Sequence, residues 1–352
     1  MQRRIAKQIM VGSAAVGGGS PVTVQSMTNT DTRDSVKTVE QIQRLTEAGC
    51  EIVRVAVPDD EAAAALSSIK KQITIPLVAD IHFDHRLALR ALESGVDKLR
   101  LNPGNIGSQA HVREVAAQAR DRGVPIRIGV NSGSLPQWAV ESYGRTPEAM
   151  VEAALSHVGL LENVGFSDII ISMKATNIDW TVRAHELIAD RTPYPLHVGI
   201  TEAGTAWFGT IKSACGLSAL LTRGLGDTLR VSLTADPLEE VRAGWAILKA
   251  LNMRQRGPLF ISCPTCGRTQ IPLLEIAEAV EKRLSHIATP LTIAVMGCAV
   301  NGPGEAREAD LGIAGGDGMG LVFRRGKVLR RVSEESLVDA LVEEAERFEV
   351  GD

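Results

Sequence analysis

Through the first 250 residues, a stretch of helical periodicity ends at a glycine and a run of β-branched residues begins a few positions later. TEAGCEIVRVAV, LESGVDKLRLN, RDRGVPIRIGVN, ENVGFSDIIISMK and TRGLGDTLRVSL all repeat this unit. Gly49, Gly95, Gly123, Gly165 and Gly224 thus stand where a helix C-terminus takes a residue tolerant of positive φ. Runs lacking the glycine complete eight predicted strands, near residues 22–27, 51–57, 76–82, 98–102, 125–131, 168–174, 195–201 and 228–233. Eight strands alternating with helices predict an α/β fold, a (β/α)8 TIM barrel; a doubly wound open sheet is the competing arrangement of the same alternation. The preceding IMVGSAAVGGGSP reads as a short hairpin closing the barrel's bottom.

From about residue 256 the pattern changes. GPLFISC and LTIAVMG read as strands separated by the amphipathic helix LLEIAEAVEKRLSHI. DLGIAGG and GLVFRRGKVLRRV predict further strands, the latter a hairpin turning at Gly326, before a last helix in EESLVDALVEEAERF. The expected organisation is a barrel over 1–255 and a small α+β domain over 256–352, joined by a helix near 236–255 with no low-complexity linker.

Composition narrows the classes. A 44% hydrophobic and 23% charged fraction over 352 residues is that of a globular protein with a real core. The net charge of -4 and the scattered arginines offer no basic stripe for nucleic acid. No signal-peptide pattern opens the chain, and the longest apolar run, LTIAVMGCAV, is too short to span a bilayer, so a cytoplasmic location is expected. Five cysteines with one CxxC pair point to metal binding or catalysis over disulfides.

The second domain carries CPTC at 263–266 and then GCAVNGPGE, in which Glu305 lies seven positions after Cys298. Both groups follow predicted strands, and loops leaving neighbouring strands converge as a metal centre requires. Thiolates suit both iron–sulfur clusters and zinc, and a lone CxxC does not decide between them. Three cysteines leave a cubane one ligand short, and Glu305 is the hard ligand at hand; an oxygen-ligated iron exchanges more readily, so that corner could open to substrate. Cys50 and Cys215 lie in the barrel pattern and read as buried free cysteines.

Barrel active sites lie at the C-terminal ends of the strands. Arg54, Arg100, Arg127, Lys174 and Arg230 fall there on five different predicted strands. Alternation puts Arg100 with Asn102, Arg127 with Asn131, and Arg230 with Ser232 on shared faces. If those faces point inward, a ring of cations meets at one mouth, and a diphosphate supplies the anions it needs. Ion pairs with Asp80, Asp97 or Glu51 are the alternative. His82 reads as a strand-end histidine or, with Asp80, as part of a metal site lacking a third ligand. Glu202 ends the seventh strand; a carboxylate beside a cationic mouth suggests acid or base work, or pairing with an arginine.

With VGGGSPVTVQSMTNTDTRD, ADIHFD, LRLNPGNIG, TEAGT, ISCPTCGR and MGCAVNGPGEA, the chain closely resembles the 4-hydroxy-3-methylbut-2-enyl diphosphate synthase family over nearly its whole length. The resemblance implies two-electron reductive ring opening of 2-C-methyl-D-erythritol 2,4-cyclodiphosphate, with loss of water, in the non-mevalonate route to isoprenoids. It implies a TIM barrel and a domain carrying a [4Fe-4S] cluster held by Cys263, Cys266, Cys298 and Glu305, and electrons from flavodoxin or ferredoxin. Its substrate-binding positions match Arg54, His82, Arg100, Asn102, Arg127, Asn131, Lys174 and Ser232, and it gives Glu202 an acid/base role; Arg230 rests on alternation alone. Some members carry an extra domain before the cluster domain; here residue 255 leads directly into RGPLFISCPTC.

Chain length bears on assembly. A helix of roughly 20 residues after the eighth strand runs back about 30 Å. The seven or so residues then left before Cys263 reach at most about 25 Å, which makes folding back over the same mouth difficult. A head-to-tail homodimer, each cluster domain capping the partner's barrel, solves this, and the resemblance implies the same dimer; a hinge that swings the small domain up beside its own barrel is the alternative.

Overall fold

The chain opens with an antiparallel hairpin, β1 (Ile9–Val11) and β2 (Ala14–Val16). Eight parallel strands follow: β3 (Thr23–Met27), β4 (Ile52–Ala56), β5 (Leu77–Asp80), β6 (Lys98–Arg100), β7 (Ile126–Asn131), β8 (Ile169–Lys174), β9 (His197–Val198) and β10 (Thr228–Leu229). They pair in the order β8-β7-β6-β5-β4-β3-β10-β9, and a parallel bridge from Ile171 to Leu196 brings β8 beside the chain entering β9. The ring is closed, so the barrel and not the open sheet is the fold. This computed structural model describes residues 2–298, 306–316 and 318–348, in two compact units, Met1–Arg254 and Gln255–Asp352.

Around the ring lie α1 (Ser35–Glu47), α2 (Asp60–Gln72), α3 (His85–Glu93), α4 (Gln109–Asp121), the short α5 (Gln137–Tyr143), α6 (Pro147–Glu162), α7 (Ile178–Ala189), α8 (Ala206–Leu221) and α9 (Pro237–Ala250). Their apolar faces bury the outward residues of the strands, such as Val53, Leu99, Ile128 and Leu229, in one continuous core. Several begin on a side-chain cap where the loop leaves a strand end, for example Asp59 accepting from Ala62 N and Asn177 from Trp180 N. The five glycines singled out by the repeat all hold positive φ, from 65° to 101°.

Residues two apart along a strand share a face, and the inner faces read Ile52 and Arg54, Val78 and Asp80, Lys98 and Arg100, Ile170 and Lys174. The lower members Ile52, Val78 and Ile170 pack against Ile9, Val11 and Val16 of the hairpin, which closes that end as predicted. The apolar plug leaves the polar members to the opposite, C-terminal end.

In the second unit β11 (Leu259–Ser262), β12 (Thr292–Met296) and β13 (Leu311–Gly315) run parallel, and β14 (Met319–Arg324) and β15 (Lys327–Ser333) continue the sheet antiparallel. One face is covered by α10 (Leu273–Leu284) and α11 (Leu337–Glu346) through Ile276, Val280, Leu337 and Leu341. The β14–β15 turn places Arg325 and Gly326 at φ 46° and 73°, the paired positive values of a two-residue hairpin turn. Among the described residues no helix is long and apolar enough to cross a membrane.

Candidate active site

At the C-terminal end of the barrel strands, Arg54, Asp80, His82, Arg100, Arg127, Gly129, Asn131, Ser172, Lys174, Thr201, Arg230 and Ser232 enclose a cavity of about 160 Å³. The strand ladder brings the cations together: Asp80 is registered with Arg100, Arg100 with Arg127, and Asn131 with Lys174. Asp80 lies 3.2 Å from Arg100, 3.4 Å from His82 and 3.9 Å from Arg54. Burial alone would raise its carboxyl, but Arg54, His82 and Arg100 outweigh that and hold it well below the usual carboxylate range. Glu240, on α9, receives Arg230 through two hydrogen bonds of 3.2 and 3.1 Å and also accepts from Ser26 and from Leu233 N.

Two cations are left over. Arg127 is 2% and Lys174 9% exposed, and neither side chain has an ion pair or a hydrogen bond among the described residues. Burial, and then the neighbouring cations, push both well below their ordinary pKa values. Arg54 is lowered to about 10 by burial, partly offset by Asp80. The wall therefore carries more positive charge than its two carboxylates neutralise, an arrangement that an anion completes.

Of the residues expected to bind substrate, Arg54, His82, Arg100, Arg127, Asn131, Lys174, Arg230 and Ser232 line this cavity, and Asn102 does not. Its amide is spent on Gly129: Asn102 Nδ2 donates to Gly129 O at 2.9 Å, and Gly129 N donates back to Asn102 Oδ1 at 2.9 Å. Glu202 stands outside the cavity lining, exposed, at φ 51°, accepting from Thr176 Oγ1 at 3.1 Å. A side chain held in the left-handed region costs on the order of 1–3 kcal/mol and recurs at functional positions.

The cysteines divide. Cys50 is buried, its thiol pushed up to about 12 by burial. Cys215 is exposed, against the expectation of burial, because the face that α8 turns inward runs through Gly209, Ser213, Gly216 and Leu220. In the second unit Cys263 follows β11 directly and Cys298 follows β12 by two residues, so both leave the same ends of adjacent parallel strands. Gly297 N donates to Cys263 Sγ at 3.2 Å, while Cys266 N donates to Thr269 Oγ1 at 3.1 Å in a tight turn. Backbone and side-chain donors of Arg268 lower the Cys266 thiol, favouring thiolate. Among the described residues no three His, Cys, Asp or Glu side chains are gathered closely enough to hold a metal, and Glu305 lies outside the described residues. The donor set fits a thiolate-bound group in type: soft ligands on loops, two of them leaving the same ends of adjacent strands, with a backbone N–H aimed at one sulfur.

Residues 6–245 match the GcpE TIM-barrel domain, and residues 259–347 match the GcpE protein C-terminal domain. The chain belongs to the GcpE family. Among its relatives, a Geobacter sulfurreducens protein is 61% identical over 97% of both chains and a Caldanaerobacter subterraneus protein 56% identical over 98% of both. Each bears the name 4-hydroxy-3-methylbut-2-en-1-yl diphosphate synthase (flavodoxin). Among solved structures, 3-dehydroquinate dehydratase from Geobacillus kaustophilus covers 71% of this chain with 99% of its own, at a TM-score of 0.51 and 13% identity. That likeness shows the barrel fold alone.

Sequence reasoning missed parts of this GcpE barrel. Glu240 carries no signal beyond its place in the first turn of α9, yet it anchors Arg230. Gly199 matters for space: a Cβ there would stand 2.4 Å from Arg230 O and 2.7 Å from Lys174 Nζ. Gly129 likewise lets Arg100 pass, its Cβ position lying 3.0 Å from Arg100 Nε. The glycine-for-side-chain alternation on the inner faces of β7 and of the β9 line was the available signal.

Proposed function

We propose that this chain is a 4-hydroxy-3-methylbut-2-enyl diphosphate synthase, an iron–sulfur oxidoreductase. It opens the ring of 2-C-methyl-D-erythritol 2,4-cyclodiphosphate with two electrons, releasing water and (E)-4-hydroxy-3-methylbut-2-enyl diphosphate in the non-mevalonate isoprenoid pathway. The observation that carries the reading is the pair of buried cations, Arg127 and Lys174, that stand in a strand-end cavity without a partner among the described residues. A cyclic diphosphate brings the missing negative charge at the spacing of two adjacent phosphates. The names of the relatives agree with it and supply flavodoxin as the electron donor; a ferredoxin is the alternative donor of the same kind.

In this reading Arg127 and Lys174 anchor the phosphates. Asp80 orients Arg54 and Arg100, and Glu240 orients Arg230, so these guanidinium groups meet the substrate already aimed. Asn131, Ser232 and His82 complete the wall, and Asn102 keeps the β6 and β7 ends in register through Gly129. Glu202 passes a proton to the departing oxygen, which must leave as water. Cys263, Cys266, Cys298 and Glu305 would hold a [4Fe-4S] cluster, which would supply one-electron reducing equivalents. Two chains build the working site as a head-to-tail homodimer, each second unit serving its partner's barrel.

Anaerobic purification followed by turnover of the cyclic diphosphate with a chemical reductant tests this. A brown protein with about four iron atoms per chain that forms the linear diphosphate is the expected result. A colourless protein with stoichiometric zinc would overturn the cluster. For the dimer, a Glu202→Ala chain is co-expressed with a Cys298→Ser chain: activity returns in the heterodimer if the site is shared, and every mixture stays dead if each chain is self-contained.

A further inference from the structure

Beneath the cavity the barrel interior is polar where such barrels are usually filled by branched apolar side chains. Lys98 on β6 and His197 on β9 are both 0% exposed. The only hydrogen bond of Lys98 Nζ among the described residues goes to Gln25 Oε1 on β3, at 3.1 Å. Thr228 is registered with both His197 and Thr23, so the three side chains stand on neighbouring strands of one face. Gln25 Nε2, both His197 ring nitrogens and the hydroxyls of Thr23 and Thr228 are buried without partners among the described residues. Such a concentration of unsatisfied groups is rare in a folded core.

The charged groups facing Lys98 are cations: Arg127 from β7 and Arg54 from β4, with His197 across the barrel. The inward carboxylate of β5, Asp80, is already taken by Arg54, Arg100 and His82, and Glu240 by Arg230 and Ser26. Burial and then Arg127 and Arg54 push the Lys98 amine well below an ordinary lysine, and burial with Arg127, Lys174, Lys98 and Arg54 does the same to His197.

Resting on the reading that an anionic substrate fills the cavity, we propose that Lys98 is a proton-taking positioning residue. It is a neutral amine in the empty barrel and becomes an ammonium when the diphosphate binds above it. The step is simple protonation: one proton moves from solvent to Nζ, and no other bond changes. The empty barrel thereby avoids one more uncompensated cation, and the loaded barrel gains one at the floor of the site. Lys174 follows the same electrostatics but lies on the cavity wall, whereas Lys98 stands behind it and can be altered without removing a proposed substrate contact.

The test is calorimetric titration of the cyclic diphosphate into oxidised holoenzyme, without reductant, in buffers of differing ionisation enthalpy near pH 8. The ligand's phosphates are fully ionised there, so proton uptake reports on the protein. Wild type takes up protons on binding, and Lys98→Met takes up about one fewer per site. Correspondingly, one linked proton makes the wild-type Kd weaken by about tenfold per pH unit on the alkaline side, a slope that Lys98→Met flattens. Lys98→Gln serves as the second variant if the first does not fold. Binding by wild type with no proton uptake overturns the inference, and so does unchanged uptake in the variants, which would assign the proton to Lys174 or His197. If wild type binds nothing, the anionic-substrate reading falls first and takes this inference with it.

Discussion

Arg127→Met separates a binding cation from a structural one. Arg127 is 2% exposed and has no carboxylate partner among the described residues, so in the empty protein it contributes desolvation cost without a compensating pair. Methionine replaces the aliphatic stem as far as the Nε position and removes the charge. The apo protein should therefore be unchanged or more stable, by up to about 1–3 kcal/mol, which in a unit of this size raises Tm by about 2–10 °C. Substrate binding moves the other way. Losing charge-assisted hydrogen bonds to a phosphate costs about 1.5–3 kcal/mol, or roughly 10- to 150-fold in Kd. Arg230→Met is the contrast: it strips the partner from Glu240, which is 4% exposed, and should cost about 3–5 kcal/mol of stability. Thermal melts of the apo proteins and calorimetric titration with the cyclic diphosphate check both. An Arg127→Met protein that melts several degrees lower and binds normally would refute the reasoning, since it would make Arg127 a structural residue.

Cys263→Ser, Cys266→Ser and Cys298→Ser should each lose most of the iron, whereas Glu305→Ala should retain more iron yet turn over poorly; full iron and activity in a serine variant removes that ligand. Glu202→Gln should lower kcat more than it raises KM, and an effect confined to KM would take Glu202 out of the proton step. Burial lowers His157 and His185 to about 4, so both stay neutral in the folded protein while the unfolded chain protonates them below about 6.5. The unfolded state then binds more protons, and stability should fall as pH drops from about 6.5 toward 4, by up to about 3 kcal/mol for each. Thermal melts at pH 7.5 and 5 read this directly, and a flat Tm across that range would contradict it.

The sequence by itself determined the architecture and the kind of chemistry. Helix, glycine, strand is a local pattern, set by backbone preferences within a dozen residues, and it counted eight strands and marked the hairpin below and the turn at Gly326 correctly. Period-two alternation likewise told that Arg100, Arg127 and Arg230 share faces with polar neighbours, and the CxxC and Cys298 segments announced thiolate loops after strands. What it could not determine was which of these charges are already paired. Glu240 meets Ser26 across 214 positions of chain and takes Arg230 away from the free cations, while Asp80 takes Arg54 and Arg100. Asn102 shares a face with Arg100 yet turns to Gly129, and Cys215 sits on the outer side of its helix. Only closing the ring sets these distances, because electrostatic pairing depends on separation in space, and neighbours across a barrel are far apart along the chain. The same closure left Arg127, Lys174 and Lys98 facing inward with no anion among the described residues.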